Sequence, residues 1–283
     1  MRIEQDEQGR EWFAEGDNFQ KAPAEKNRES FSPGNLDTIV IHYTAGRNAQ
    51  QSVDWLRREE VQASAHLVVG RDLSVTQLVP FNFKAWHAGR SAWQGRSGFN
   101  KYSIGIEIDN AGQLQKSGEV YIAWFEDEYS QNQVVEGIHR NETLLSHWHR
   151  YTKDQIDLVE EICAVLVEKY KISSILGHEE ISPKRKKDPG PAFPLDRLRD
   201  SILSPRRDEE GEEEEEVSTA FSGAGIVTAS KLNIRTAPRR SAATAAPPLL
   251  KGAVVDIVQE SDGWYEVEMQ TRGWVAKEFV KRG

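Results

Sequence analysis

A single cysteine, Cys163, occurs in this sequence of 283 residues. One thiol excludes an intramolecular disulfide framework and any multi-cysteine zinc cluster. No run approaches the roughly 20 consecutive apolar residues that a membrane-spanning helix needs, so we expect no membrane partner. The first ten residues are polar and charged and lack the apolar segment of an export signal, so we expect a cytoplasmic location. The net charge of −9 argues against general binding to nucleic acid.

The sequence does contain enough apolar material for a folded core, together with one strongly acidic run. Hydrophobic residues make up 38% of the chain, which excludes a wholly disordered protein. Residues 206–216 include eight acids and two bases, and like charges keep such a segment extended and solvated. We therefore predict an acidic linker over 204–221, between a larger N-terminal part and a small C-terminal domain over 222–283.

Short strand-like runs separated by turns fill the C-terminal part. Strands are predicted at 226–227, 232–235, 253–258, 264–268 and 273–276, with turns at 238–248 and 261–263. Such spacing is typical of a small all-β barrel. The steps Leu-Asn-Ile-Arg, Gly-Trp-Tyr-Glu-Val and Gly-Trp-Val-Ala resemble the bacterial SH3 domain family, whose members commonly bind cell-wall peptides. Trp264 and Trp274 are then either ligand contacts or core residues.

The N-terminal part is predicted to be a mixed α/β domain over 31–203, preceded by an extension over 1–30. The longest helix is predicted over 152–170, with Thr152 and Gln155 as a capping box. Cys163 lies on the apolar stripe of this helix, which indicates a buried side chain. The other predicted elements are strands at 38–41, 66–69, 75–79, 103–108 and 175–176, and helices at 49–59 and 195–203. We expect a mixed central sheet flanked by helices.

Two histidines follow the ends of predicted strands. His42 ends the first buried strand, and His178 follows the strand at 175–176. Side chains at strand ends on one sheet edge often converge, and Lys186 and Asp188 share one side of an extended segment just beyond His178. Two imidazoles and one carboxylate are a possible three-ligand zinc set with an open position for water. The spacing alone leaves a metal site as one alternative.

Four segments of the chain, taken in order, resemble one known family. They are DTIVIHYTAG, ASAHLVVGRDLSVTQLVPFNFKAWHAGRS, YSIGIEIDNAG and LGHEEISPKRKKDPGPAFP. Together they resemble the zinc-dependent N-acetylmuramoyl-L-alanine amidases, a family that includes phage lysozyme-like amidases, the muropeptide-recycling amidase of bacteria and the peptidoglycan-recognition proteins of animals. The last segment is most similar to the recycling branch.

The resemblance implies a role for each matching residue. His42, His178 and Asp188 would be the ligands of a Zn²⁺ ion, and the phage lysozyme-like members carry a cysteine where Asp188 stands. Glu107 matches the catalytic glutamate of the family, and Lys186 matches a basic residue that stabilises the transition state. The implied reaction is hydrolysis of the amide bond between N-acetylmuramic acid and L-alanine.

Aromatic and histidine side chains near these segments are candidates for substrate binding. His87 is predicted either to contact substrate or to support a residue that does. Trp86 and Trp93 are predicted to stack on sugar rings, with a core role for Trp86 as the alternative. The remaining histidines are given no ligand role: His66 is predicted in the core, His139 in solvent, and His147 and His149 outside the ligand segments. Residues 111–147 form a long excursion that we expect to line the substrate groove and to tune which muropeptide is accepted.

Three functions compete at this point. The favoured one is a zinc amidase with a wall-binding tail, acting as a monomer on peptidoglycan or on soluble muropeptides. A non-catalytic peptidoglycan-recognition module would typically lose a ligand, whereas all the ligand positions are present here. A zinc peptidase that cuts stem peptides would share the metal but not the family segments. With no export signal, the protein is expected either to recycle fragments in the cytoplasm or to be released to reach the wall.

Overall fold

The computed structural model describes residues 1–16, 18–27, 29–203, 223–226, 231–235, 244–250, 253–261 and 264–268. The chain divides into two compact units, Met1–Pro205 and Arg206–Gly283. The predicted linker over 204–221 and the predicted strand at 273–276, with Trp274, lie outside the described residues. Among the helices of the described segments, none is both long enough and apolar enough to cross a membrane.

The elements of the N-terminal unit are as follows, for the part of residues 1–203 that the structure describes. The strands are β1 (Ile3–Gln5), β2 (Glu11–Phe13), β3 (Phe19–Lys21), β4 (Thr38–Tyr43), β5 (Leu67–Val69), β6 (Val75–Gln77), β7 (Ala92–Trp93), β8 (Arg96–Ser97), β9 (Ser103–Ile108), β10 (Gln113–Ser117), β11 (Val120–Ile122), β12 (Glu128–Tyr129), β13 (Val134–Ile138), β14 (Leu145–His149) and β15 (Ser174–Gly177). The α-helices are α1 (Ala49–Arg57), α2 (Lys153–Tyr170), α3 (His178–Ile181) and α4 (Leu195–Leu203).

A six-stranded mixed sheet lies at the centre of this unit, in the order β15-β4-β9-β5-β6-β3. The strands β15, β4, β9 and β5 are parallel, β6 is antiparallel to β5, and β3 is parallel to β6. This confirms the predicted mixed sheet. Because the C-terminal ends of parallel strands meet at one edge, the residues that follow β15 and end β4 and β9 are brought together there.

The two faces of the sheet have different roles. Ile39 and Ile41 on β4, and the isoleucines of β9, point into the main hydrophobic core, which α2 and α4 cover. As predicted, Thr152 and Gln155 form the capping box of α2 and Cys163 is fully buried on its inner side. Strand residues alternate between faces, so His42 and Glu107 point to the opposite face.

The excursion over 111–147 is not an irregular loop. It contributes most of a second, five-stranded antiparallel sheet in the order β12-β11-β10-β14-β13. This sheet has a small core of its own that includes Leu114, Tyr121 and Val134. Its antiparallel strands alternate apolar and polar residues over only three to five positions, which is a weak pattern in the sequence.

Residues 1–30, predicted as an extension, belong to the same compact unit. β1 and β2 form an antiparallel pair, and β3 adds to the central sheet beside β6. Phe13 is buried in the main core, where its ring lies edge-on to Phe81 at 4.9 Å between centroids. The N-terminal segment therefore completes the central sheet on the side away from β15.

The C-terminal unit is a β structure in its described residues. Its strands are β16 (Gly223–Ile226), β17 (Lys231–Arg235), β18 (Thr244–Leu250), β19 (Val254–Ser261) and β20 (Trp264–Glu268). They pair as β16-β19-β20 and as β17-β18, all antiparallel. The turn predicted over 238–248 is wrong from Thr244 onward, where β18 pairs with β17. Among the described strands β18 pairs with β17 alone, and proline is tolerated on such a strand edge; the pairing is irregular here.

Candidate metal centre

Three side chains predicted as ligands converge at the C-terminal edge of the central sheet. His42 on β4 lies in register with Glu107 on β9, and Gly177 on β15 lies in register with Ile41, so that His178 follows directly beside His42. The His42 Nδ1 atom lies 2.9 Å from His178 Nδ1 and 2.8 Å from Asp188 Oδ2, and His178 Nδ1 lies 2.9 Å from the same Oδ2. All three residues are buried.

The tautomers of both histidines follow from what surrounds their Nε2 atoms. His178 Nε2 faces the carbonyl oxygen of Ala88 at 3.1 Å, and a carbonyl only accepts, so Nε2 carries the proton. His87 Nε2 faces the carbonyl of Ser103 at 3.2 Å and is protonated for the same reason. His87 Nδ1 is then an acceptor, and His42 Nε2 donates a hydrogen bond to it at 2.9 Å. Both ligand histidines therefore present an Nδ1 lone pair.

Arg185 also approaches His178 without changing this assignment. One of its guanidinium nitrogens lies 3.3 Å from His178 Nε2. That nitrogen has two protons, and three oxygens lie closer to it, on Ala88 at 2.9 Å, Arg90 at 3.0 Å and Ser182 at 2.9 Å. The Arg185 guanidinium therefore donates its hydrogen bonds to oxygen acceptors, and the assignment of the proton to His178 Nε2 is unchanged.

The three converging atoms fit a metal ion. Two imidazole lone pairs and a carboxylate oxygen within 2.9 Å of one another repel unless a positive charge lies among them. Burial and the neighbouring His178 lower the pKa of His42 to about 4, so this ring is neutral at pH 7. Burial alone would raise the pKa of Asp188, but the adjacent rings of His178 and His42 hold that pKa well below its usual range. Neutral imidazoles and an ionised carboxylate are the forms that bind zinc.

Space for the supporting histidine comes from a glycine. A Cβ atom on Gly105 would lie 2.3 Å from Cγ of His87, inside any allowed contact. Gly105 lies two residues before Glu107 on β9, so the His87 ring contacts the strand on the face that also holds Glu107. The sequence therefore contains a glycine here because the ring that orients His42 occupies the volume of its side chain.

We predict that Gly105→Ala weakens zinc binding by about 10–100-fold, the usual effect of disturbing a group that orients a metal ligand. The added methyl group displaces His87, and His42 then loses the acceptor that fixes its tautomer. Competition with a chromophoric chelator measures the affinity. Gly16→Ala is the matched control, because nothing lies within 4 Å of the Cβ position there. Equal zinc affinities for the two variants would contradict the role of His87.

Glu107 is the other functional group at this edge. Its Oε2 atom is inaccessible to solvent and has no hydrogen-bond partner among the described residues. Burial, and then the charge of Asp188, raise the pKa of Glu107 well above its usual range, while Lys186 opposes the shift. A buried, unpartnered carboxylate oxygen is costly unless a ligand supplies the missing proton donor, so this atom marks a place for a bound molecule.

Lys186 lies close enough for its charge to act on both Glu107 and His42. Its backbone N–H donates to the carbonyl of Ser182, so the chain turns after α3 just before the segment from Lys186 to Asp188. The ammonium group makes no hydrogen bond or ion pair within the part of the chain that the structure describes. It is therefore a free positive charge beside the converging ligands.

The three residues predicted to bind substrate have different surroundings in the structure. Both ring nitrogens of His87 are used, one by His42 and one by Ser103, which favours its support of the ligand over a contact with substrate. Trp93 is partly buried and packs against a small cluster under the site. Trp86 is 39% exposed, which argues against a core role for it.

The other histidines differ in their surroundings. His66 is a core residue as predicted: Nδ1 accepts from Gly105 N–H and Nε2 donates to the carbonyl of Phe83. His147 and His149 lie on β14, away from the three ligands, and His149 is buried. The prediction that His139 is solvated is wrong, since its ring is buried and Nε2 lies 2.6 Å from Glu179 Oε2. The polar segment around His139 gave no signal of a partner 40 residues further on.

A His–His–Asp set with an unpaired carboxylate beside it is the arrangement of a metal-dependent hydrolase. The model of the N-acetylmuramoyl-L-alanine amidase family matches residues 32–191, more than half of the sequence, and this chain belongs to that family. A second match, to the bacterial SH3 domain, covers residues 228–281.

Two relatives from Escherichia coli illustrate the similarity. The chain is 34% identical to the N-acetylmuramoyl-L-alanine amidase AmiD over 173 residues, which is 58% of this chain and 52% of AmiD. It is also 34% identical to the 1,6-anhydro-N-acetylmuramyl-L-alanine amidase AmpD over 139 residues, which is 49% of this chain and 58% of AmpD. The chain thus spans little more than half the length of these curated relatives.

Among solved structures, one similar protein is AmiD in complex with anhydro-N-acetylmuramic acid-L-Ala-D-γ-Glu-L-Lys. It is 26% identical, with a TM-score of 0.44, and covers 69% of this chain and 64% of its own. The solution structure of Citrobacter freundii AmpD is 24% identical, with a TM-score of 0.43, and covers 69% of this chain and 96% of its own.

Proposed function

We propose that this protein hydrolyses the amide bond between N-acetylmuramic acid and L-alanine, using a zinc ion held by His42, His178 and Asp188. The observation that carries the proposal is the convergence of three donor atoms within 2.9 Å of one another on the sheet face that also holds Glu107. Membership of the amidase family supports the choice of bond.

Different residues of the chain have different roles in this reaction. Zinc, when bound, supplies Lewis acidity and lowers the pKa of water. Glu107 Oε2, which lacks a donor, is placed to accept the proton of the attacking water and to return it to the departing amine of L-alanine. The ammonium group of Lys186 provides positive charge where the amide oxygen becomes negative. His87 keeps the His42 lone pair directed into the site.

Intact peptidoglycan is the substrate that we propose, with the C-terminal SH3 domain binding the wall. The match to that domain over 228–281 supports wall binding. One contact joins the excursion to the segment that follows β4: Trp124 is 75% exposed, and its indole N–H donates to the carbonyl of Ala45, three residues after His42. This contact supports the prediction that the excursion lines the groove.

Mass spectrometry of products, from intact sacculi and from soluble anhydro-muropeptides, tests this function. We expect peptides with free N-terminal L-alanine together with glycans that carry free lactyl groups, and no products after treatment with a chelator until zinc is restored. New amines within the stem peptide would instead identify a zinc peptidase. Zinc-loaded protein that binds muropeptides without turnover would identify a recognition module.

A further inference from the structure

The segment that carries Asp188 is held from one side by the second sheet. This segment, residues 186–191, is called the ligand loop. The Lys187 ammonium donates to Oε1 of Gln113 on β10 at 2.8 Å and pairs with Glu142 at 2.5 Å. Tyr151, just after β14, donates its hydroxyl proton to the carbonyl of Pro189 at 2.9 Å.

Close packing continues at the end of the ligand loop. A Cβ atom on Gly190 would lie 2.9 Å from the Trp148 ring, and a Cβ atom on Gly137 of β13 would lie 2.9 Å from the ring of Pro191. These glycines let the second sheet and the ligand loop approach at van der Waals contact. The position of Asp188 therefore depends on residues of the excursion.

Glu179 forms polar contacts with both the second sheet and the ligand loop. It follows the ligand His178 directly, and its backbone N–H donates to the carbonyl of Asp188 at 2.8 Å. Its buried carboxylate accepts the backbone N–H of Gly190 at 3.1 Å. One residue thus ties both sides of the ligand loop to the strand end that carries His178.

The excursion supplies the remaining donors to Glu179. His139 Nε2 lies 2.6 Å from Oε2, and Arg140 Nε lies 2.9 Å from Oε1. The amide of Asn141 donates to the Glu179 carbonyl at 2.9 Å. Since His139 Nδ1 accepts the backbone N–H of Asn141, the ring proton is on Nε2 and points at the carboxylate. The ring also stacks on Trp148 at 5.6 Å between centroids, so both hydrogen bonding and packing fix its position.

We propose that His139 is a positioning residue of the metal centre: through Glu179 it fixes the ligand loop and with it the carboxylate of Asp188. The clamp, meaning His139 and Arg140 on Glu179, makes the second sheet part of the metal site. The proposal rests on the metal site of the proposed function and concerns how firmly this chain holds that ion. It predicts an effect on zinc affinity that is independent of turnover.

The test compares two substitutions at His139 by competition for zinc with a chromophoric chelator. His139→Leu keeps bulk against Trp148 but removes the donor, and we expect zinc affinity to fall about 10–100-fold, as for other groups that orient metal ligands. His139→Gln places an amide N–H where Nε2 stood, and we expect affinity within about threefold of wild type. Recovery by glutamine separates hydrogen bonding to Glu179 from simple filling of space.

His147→Ala is the matched control, because His147 lies on β14 of the same sheet and its partner, Glu136, is on β13 rather than on the ligand loop. We expect its zinc affinity to equal that of wild type. The proposal is overturned if His139→Leu binds zinc as tightly as wild type, if His147→Ala is weakened equally, or if glutamine gives no recovery.

Arg140→Ala decides the matter should His139→Leu fail to fold, which circular dichroism of the metal-free protein reveals. The Arg140 side chain is one-third exposed, so its removal leaves the core intact. We expect a loss of about 3–10-fold in zinc affinity, since the contacts at Oε2 remain; no loss at all would overturn the clamp. Wild-type protein that fails to bind zinc would refute the proposed function itself, whereas active wild type with unaffected variants refutes only this inference.

Discussion

Glu107→Gln is expected to lower kcat by about 10²–10⁴-fold, the usual contribution of a general base. Glutamine has nearly the same shape but cannot accept the proton of the attacking water at Oε2. Glu107 is not among the three converging donor atoms, so zinc affinity should stay close to that of wild type. Turnover of a muropeptide, followed by release of the L-alanine amine, measures the first effect, and chelator competition measures the second.

The same substitution, which lowers kcat, is expected to raise the stability of the metal-free protein. The folded-state pKa of Glu107 is raised, so its contribution to stability is present below the unfolded pKa of about 4.3 and is lost as pH rises toward the folded pKa. Glutamine carries no charge at any of these pH values. Metal-free Glu107→Gln should therefore unfold at a higher temperature than wild type at pH 8, with the difference shrinking toward pH 4.

Glu128→Gln on the exposed strand β12 is the control for both measurements, with no expected change in kcat or in Tm. A Glu107→Gln variant that keeps turnover within tenfold of wild type would remove Glu107 from the reaction. Loss of zinc together with turnover would make it a ligand instead.

The second large effect is expected at Asp188. Asp188→Ala removes one of three protein ligands and leaves two imidazole lone pairs facing each other at 2.9 Å. If a bound zinc ion contributes about 10–16 kcal/mol shared over four ligands, one ligand is worth about 3–4 kcal/mol, or about 10²–10³-fold in zinc affinity. Turnover at limiting zinc should fall in parallel.

Asp188→Cys distinguishes loss of a ligand from damage to the ligand loop. A thiolate binds zinc well, and the phage lysozyme-like amidases that the sequence resembles carry cysteine at this position. We expect Asp188→Cys to bind zinc more tightly than Asp188→Ala under identical conditions. Asp196→Ala, on the exposed side of α4, should behave like wild type. Equal affinities for the alanine and cysteine variants at position 188 would exclude it as a ligand position.

The sequence was sufficient to predict the residues that meet at the metal centre. His42 and His178 each follow a short apolar strand, and parallel pairing in register places such residues side by side. Asp188 was placed by the family segment rather than by spacing, because a turn after α3, between Ser182 and Lys186, precedes it and had no clear signal in the sequence. The orientation of each ring, which depends on Ala88, His87 and Ser103, had no local signal.

What the sequence did not predict depends on contacts between distant segments. His139 lies in a polar segment and was expected in solvent, but its partner Glu179 is 40 residues away and both are buried together. The five-stranded sheet was missed because its strands are short and only half-buried, so their alternation resembles that of a polar loop. Residues 1–30 were predicted only as an N-terminal extension, and the sequence did not indicate that Phe13 and β3 join the core and the central sheet.

The position of β15 in the sequence also determines at what point of synthesis the candidate metal ligands can first come together. His178 and Asp188 lie 136 and 146 residues after His42, and among the described strands β15 pairs only with β4, at the border of the sheet. During synthesis, β4, β9 and β5 emerge long before their neighbour does, and β4 meanwhile offers unpaired backbone groups to other chains. A nascent or truncated product that stops within α2 has one donor of the three. Under the proposed ligand set, uptake of zinc therefore requires translation at least as far as Asp188.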